Sequence, residues 1–402
     1  MAEIGNYVLY LIMACAVAGA IASVLDEESP LGKEFLQGLY SIGPIFVPVA
    51  GIMAAIPYLS TFIEAVFGPA FGAIGADPAI AATTLIAVDM GGYQLADALA
   101  RSREAWIIAM ITGYMAGATI VFSIPVGLAM LDKRDHKYMA LGVMSGILTV
   151  PVGVLISSLL LSLSGAPVRE VVSTEAAASY PLALDTGQIM SNLLPLAAIC
   201  TAMALGLRLV PDTMIKGFMV FGRFMDASIK LVLVCSIVEY FTKFFSGLFG
   251  AWGFNPIIAD AEDQFRALEI AGYIGIMLAG AFPMMYLIKR YLARPLEIGG
   301  SKLGFSSAGS AGILAAAANI LALFRIIREM PAADKVKCIA FSVCSAFLFG
   351  DHLAFTANFQ PTLIVPVLIG KLAAGSLGVA LAVWLAVPKA IQLEAKERAV
   401  DG

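Results

Sequence analysis

The chain has 402 residues, of which 60% are hydrophobic and 13% charged, with a formal net charge of −4. Its mean hydropathy is +0.90, whereas a water-soluble domain is roughly half apolar and about a quarter charged. The composition excludes a soluble domain and gives no basic surface for nucleic acid, so the expected surroundings are a lipid bilayer and no nucleic-acid partner is expected.

A spanning helix needs about 20 mostly apolar residues. In chain order, runs of that kind cover 5–25, 37–57, 78–100, 105–131, 138–163, 188–210, 219–246, 270–288, 304–324, 338–357 and 361–387, with a shorter run at 58–74. They are too long and too uniformly apolar for barrel strands of about 10 alternating residues. The first run follows Glu3 without a preceding Lys or Arg and lacks a small-residue cleavage site, so it reads as a retained helix and not a signal peptide. The cysteines Cys15, Cys200, Cys235, Cys338 and Cys344 all fall in apolar runs without paired spacing, as small hydrophobes do.

Orientation is expected from the loops that collect Lys and Arg, because short positive loops stay in the cytoplasm. Basic loops hold Lys133, Arg134 and Lys137; Lys289, Arg290, Arg294 and Lys302; Arg325, Arg328, Lys335 and Lys337; and the tail with Lys389, Lys396 and Arg398. Loops 26–34, 164–187 and 247–268 are poor in positive charge and are expected outside. Because both flanks of 304–324 are basic, that run is expected to enter and return on one side, and 78–100 to re-enter from the other. Run 58–74 then serves as a short crossing. The expectation is an all-α polytopic protein of about ten crossings, two re-entrant or broken segments and both termini in the cytoplasm. Its parts would be a first transmembrane half (1–163), an external connecting loop (164–187), a second half (188–388) and a cytoplasmic tail (389–402). Sliding the chain by about 230 residues lays 87–93 over 316–322 and 119–125 near 349–355, the arrangement of an inverted repeat with its site at the midplane.

A charge at the bilayer centre costs about 2.5 to 3.5 kcal/mol on insertion scales, so intramembrane acids are candidate functional groups. One is Asp89 in "AVDMGGY", followed by Gly91 and Gly92, a pair that loosens the helix and frees backbone to line a cavity or gate it. The other is Asp351 in "FGDHLAF", beside His352, one of two histidines and a candidate proton relay. Tyr93 and Phe355 follow these acids by four residues, a spacing at which a carboxylate and a ring face can share an ammonium ion, although such aromatics are more often packing. Thr119, Ser123 and Asn319 add hydroxyls and an amide, the first two also able to bond their own helix. The pairs Asp226 with Lys230 and Glu239 with Lys243 have the spacing for self-neutralisation.

The blocks "LIAVDMGGYQLA", "GATIVFSIPVGLAML", "ALGVMSGILTVPVGVL", "FGDHLAF" and "IGKLAAGSLGVALA" resemble the ethanolamine permease family of bacterial ethanolamine-utilisation operons, from about residue 40 to 388. The resemblance implies an inner-membrane carrier that admits ethanolamine for breakdown in the cell. The family reads close to "NNIP" where this chain has Asn319, Ile320, Leu321 and Ala322. A protonated amino alcohol requires an anionic or aromatic partner for its ammonium and a polar partner for its hydroxyl; Asp89, Asp351, Tyr93, Phe355, Thr119, Ser123 and Asn319 form that inventory.

Carriers of other small polar or cationic metabolites, a channel and an intramembrane aspartyl protease are the competing readings. The protease signature G-x-G-D needs glycine where this chain has Leu348. No Walker loop, zinc motif or nucleophile elbow occurs, so no cofactor or metal is expected. A homo-oligomer is compatible with the sequence.

Overall fold

The computed structural model describes residues 2–401; Met1 and Gly402, which close the expected first half and tail, lie outside the described residues. The chain is all-α, with one isolated β-bridge between Val168 and Tyr180. Among the described residues, seven helices are long and apolar enough to cross a bilayer: Ile4–Leu25, Pro30–Ala54, Arg103–Met130, Lys133–Ser164, Thr186–Leu209, Ala267–Lys302 and Pro361–Leu385. Pro211–Thr242 and the interrupted pair Ala332–Ser345 and Asp351–Phe359 also run from one end of the bundle to the other.

Two faces can be told apart by their contacts. On one, which we call the tail face, the C-terminal helix Val387–Asp401 docks through Glu397 on Lys137, Lys335 meets Asp135 at 2.7 Å, and Arg328 meets Asp132 at 2.8 Å. On the other, the loop face, the irregular stretch 165–185 packs down: the Arg169 N–H donates to Gln360 Oε1 at 2.9 Å, and Arg103 donates to the Glu170 carbonyl at 3.0 Å. Helix Lys133–Ser164 joins the two faces, with Asp135 and Lys137 near one end and the 165–185 loop at the other.

Two segments have both their ends held at one face of the bundle. Helix Pro78–Leu85 is capped by Asp77, whose Oδ1 accepts from the Ala79 N–H; its Oδ2 accepts from the Arg101 N–H at 2.9 Å. One carboxylate thus ties together both ends of 78–100 at the loop face, where Asn192 also accepts the Asp77 N–H. The second hairpin, helices Ser307–Ala318 and Ile320–Ile326, opens on the tail face, where Asp334 accepts from the Ser306 N–H at 2.9 Å. Each hairpin is broken at its tip. In the first, Gly91 has φ +93°, a left-handed conformation that glycine adopts without steric cost. In the second, Asn319 is extended (φ −160°, ψ 130°), and its side chain restarts the helix by accepting from the Leu321 N–H. A near-constant spacing separates Pro78 from Ser307, Arg103 from Ala332, and Lys133 from Pro361.

Apolar side chains gain little from leaving lipid, so helix association in a bilayer relies on close packing of small residues. At Gly378, an added Cβ would lie 2.8 Å from the Ala340 carbonyl oxygen, which places helices 364–385 and 332–345 backbone to backbone.

The expected topology changes at three points. Helix Ile56–Ala73 does not cross, because the Ala54 carbonyl before it accepts from Asn255 in the loop ahead of helix 267–302, and Glu64 within it meets Arg101 at 3.8 Å. Both neighbours belong to the loop face, so the two ends of this helix lie at one face of the bundle. The termini separate: Gly5 packs on the Pro361 carbonyl at the start of helix 361–385, while the tail leaves the other end of that helix. Finally, loop 26–34 lies with the basic loops, since Glu34 and Lys289 line one cavity.

Candidate functional site

The helix breaks meet at a cavity of about 610 Å³. It is lined by Asp89 and Ala87 from the first hairpin, Ala318 and Asn319 from the second, and Phe347, Asp351 and His352 from the interrupted helix. From there it widens past Phe282, Met285 and Pro48 to Glu34, Gln37, Lys289 and Arg325 at the tail face. Four sequence-derived candidates, Asp89, Asp351, His352 and Asn319, therefore line one cavity although they come from distant parts of the chain.

Their environments differ. Asp89 sits in a single tight turn, Val88–Met90, with its side chain 16% exposed, and Asp351 opens helix Asp351–Phe359. His352 is buried and reaches in two directions. Its Nδ1 lies 2.9 Å from Lys371 Nζ, while its Nε2 has no hydrogen-bond partner and faces Asp89 Oδ1 at 3.9 Å. Lys371 is 1% exposed and also donates to the Tyr114 carbonyl at 2.9 Å. An ammonium can only donate, so a charged Lys371 makes Nδ1 the acceptor and puts the proton of a neutral ring on Nε2, aimed at Asp89. Lysine, histidine and Asp89 thus form one file, from which Asp351 stands apart. Asn319 spends its carbonyl oxygen on the Leu321 N–H, which leaves its NH₂ for the cavity.

The remaining candidates lie elsewhere. Tyr93 is fully buried, stacked on Trp106 with centroids 4.5 Å apart, and its hydroxyl accepts from Gln360 Nε2. Phe355 packs edge-on to Tyr93 at 5.4 Å and against Phe359 at 4.7 Å. Neither ring lines the cavity, because the turn at Gly91 sends Tyr93 back toward the loop face and Phe355 lies one helical turn beyond Asp351. Thr119 donates to the Val343 carbonyl at 2.8 Å, and Ser123 to the Ala118 carbonyl at 3.1 Å, so their hydroxyls are consumed by backbone. Gly91 and Gly92 shape the break: a Cβ on Gly92 would lie 2.5 Å from the Ala87 oxygen. Of the two helical pairs, Asp226 and Lys230 do bond at 2.7 Å, but Glu239 instead accepts from the Phe245 and Ser246 N–H groups.

Lys371 escaped the sequence reading, although a signal was present: it is the only charged residue between Pro361 and Leu385. The closure toward the loop face escaped as well. There Arg169 donates to the Asn358, Ser173 and Ala176 carbonyls, and Gln360 bridges Arg169 to Tyr93.

Broken helices around a buried acidic cavity define a polytopic helical membrane protein with an internal polar site. Over residues 4–385 the chain matches the family described as "Ethanolamine utilisation protein, EutH", and it belongs to that family. It is 35% identical to a Listeria monocytogenes protein named "Probable ethanolamine permease EutH", over 98% of each chain, and 33% identical to an Escherichia coli protein of the same name, over 96% of each. It is also 30% identical to the "Uncharacterized protein YxeR" of Bacillus subtilis, over 95% of each chain. No solved structure matches it.

Proposed function

We propose that this protein is a carrier that takes up ethanolamine, as its ammonium form, across the bacterial inner membrane by alternating access. The observation that carries the proposal is the convergence of Asp89 and Asp351 on one cavity backed by a single buried Lys371. At the level of the helix breaks, away from Glu34, Lys289 and Arg325 at the mouth, two carboxylates and one ammonium leave one negative charge, which one substrate cation neutralises. Asp351 binds that cation, the Asn319 NH₂ meets the hydroxyl oxygen, and the Lys371–His352 file holds Asp89. The names of the relatives support the choice of ethanolamine over other small amines.

The basic residues of the tail face assign it to the cytoplasm, so the N-terminus is outside and the C-terminal helix inside. The two hairpins, entering from opposite faces at matched spacing, are the equivalent elements of an inverted repeat. With the cavity reaching Glu34 and Arg325 and the loop face shut by aromatics and Arg169, the conformation is inward-facing. Alternating access then requires the loop-face closure to open as the tail-face vestibule shuts.

Purified protein in liposomes loaded with unlabelled ethanolamine should accelerate entry of radiolabelled ethanolamine and saturate with concentration. Linear flux that preloading does not stimulate would instead identify a channel.

A further inference from the structure

The helices at the rim of the bundle expose unlike surfaces. Helix Ala2–Leu25 presents Tyr7, Tyr10, Leu11, Val17, Ile21 and Val24, as a lipid-facing helix should. Helix Pro211–Thr242 presents Val220, Phe224, Leu231 and Val234, and beside them, about a quarter-turn round the helix, an exposed charged stripe of Arg223, Asp226 and Lys230. The depth of these charges can be read from a 460 Å³ groove, whose lining joins Arg223 and Asp226 to Met90, the neighbour of Asp89 at the tip of the first hairpin. They stand at the level of the helix breaks, where ionisable groups are found facing protein or water and not acyl chains. Asp226 and Lys230 pair at 2.7 Å yet remain 62% and 61% exposed, and among the described residues Arg223 makes no ion pair.

We propose that this face of helix 211–242 is the contact surface for a second copy of the same chain. A two-fold axis along the membrane normal brings identical helix faces together, so every contact occurs twice. Arg223 of one copy then meets Asp226 of the other, a complementarity of both signs that an anionic lipid headgroup could not supply. The exposed Ala227, one turn from Arg223 and next to Asp226, is a small residue that lets two spanning helices approach closely there. The inference is independent of the transported substrate.

Copper-phenanthroline oxidation of Ala227→Cys, in a Cys235→Ala background and in native membranes, should yield a disulfide-linked dimer, while Val17→Cys in the same background should stay monomeric. By native mass, Arg223→Asp should weaken the dimer at least ten-fold, and adding Asp226→Arg should restore it. Equal, weak cross-linking at both cysteines with a wild-type mass of one copy would overturn the proposal. So would a monomer that retains an anionic lipid released by Arg223→Ala. If Ala227→Cys does not insert, the charge-swap series gives the same decision by mass: an unchanged dimer in Arg223→Asp, or no recovery in the double variant, rejects the interface.

Discussion

The two halves of the molecule build their breaks differently. In the first half the acid sits at the hairpin tip, where Gly91 turns the chain and Asp89 faces His352. In the second half the hairpin tip carries the neutral Asn319, and the acid has moved to the neighbouring interrupted helix as Asp351. The difference separates two roles that the sequence presents as equivalent. Asp89 has a buried positive charge behind it, relayed through a histidine; Asp351 has none. In the proposed reading, Lys371 offsets Asp89, which leaves Asp351 as the acid for one substrate cation at the helix breaks.

Substitutions can break that contrast. The largest effect is expected for Asp351→Asn, which should lower kcat/KM for ethanolamine about 100-fold or more, since removing one partner of a buried charge pair costs about 2–5 kcal/mol; uptake into proteoliposomes measures it. Lys371→Met should destabilise the protein, because it strands Asp89 without a counter-charge. Adding Asp89→Asn should return about 1–3 kcal/mol of that loss, the coupling expected within one network, and thermal unfolding in detergent would reveal the recovery. Asn319→Ala should weaken ethanolamine about five-fold and leave ethylamine unchanged, the worth of one neutral hydrogen bond; competition uptake with the two amines separates them. Smallest of all, Tyr93→Phe should leave KM within about two-fold, because its hydroxyl serves Gln360 and not the cavity.

Much of this arrangement was legible in the chain. Asp89, Asp351, His352 and Asn319 announced themselves as polar groups in apolar runs, and basic residues flank 304–324 on both sides in the sequence. Tyr93 and Phe355 lie outside the cavity: the four-residue rule presumes an unbroken helix, and Gly91 breaks the one between Asp89 and Tyr93. The hydroxyls of Thr119 and Ser123 were unreadable for another reason: which carbonyl a hydroxyl satisfies depends on a neighbour, such as Val343, that only folding brings near. For helix 56–73, hydropathy gives the length but not that Ala54 and Glu64 are held at the same face. Lys371 was visible but unweighed, since attention went to the acids.

The division of labour between the two aspartates is the centre of this account, and equilibrium binding of ethanolamine to purified protein tests it most directly. The double variant Asp89→Asn with Lys371→Met removes one charge of each sign and should keep ethanolamine affinity within about ten-fold of wild type, whereas Asp351→Asn should lose measurable binding, a difference of more than about 1.4 kcal/mol. Binding that survives Asp351→Asn but disappears in the double variant would contradict the assignment and make Asp89 the ammonium's partner.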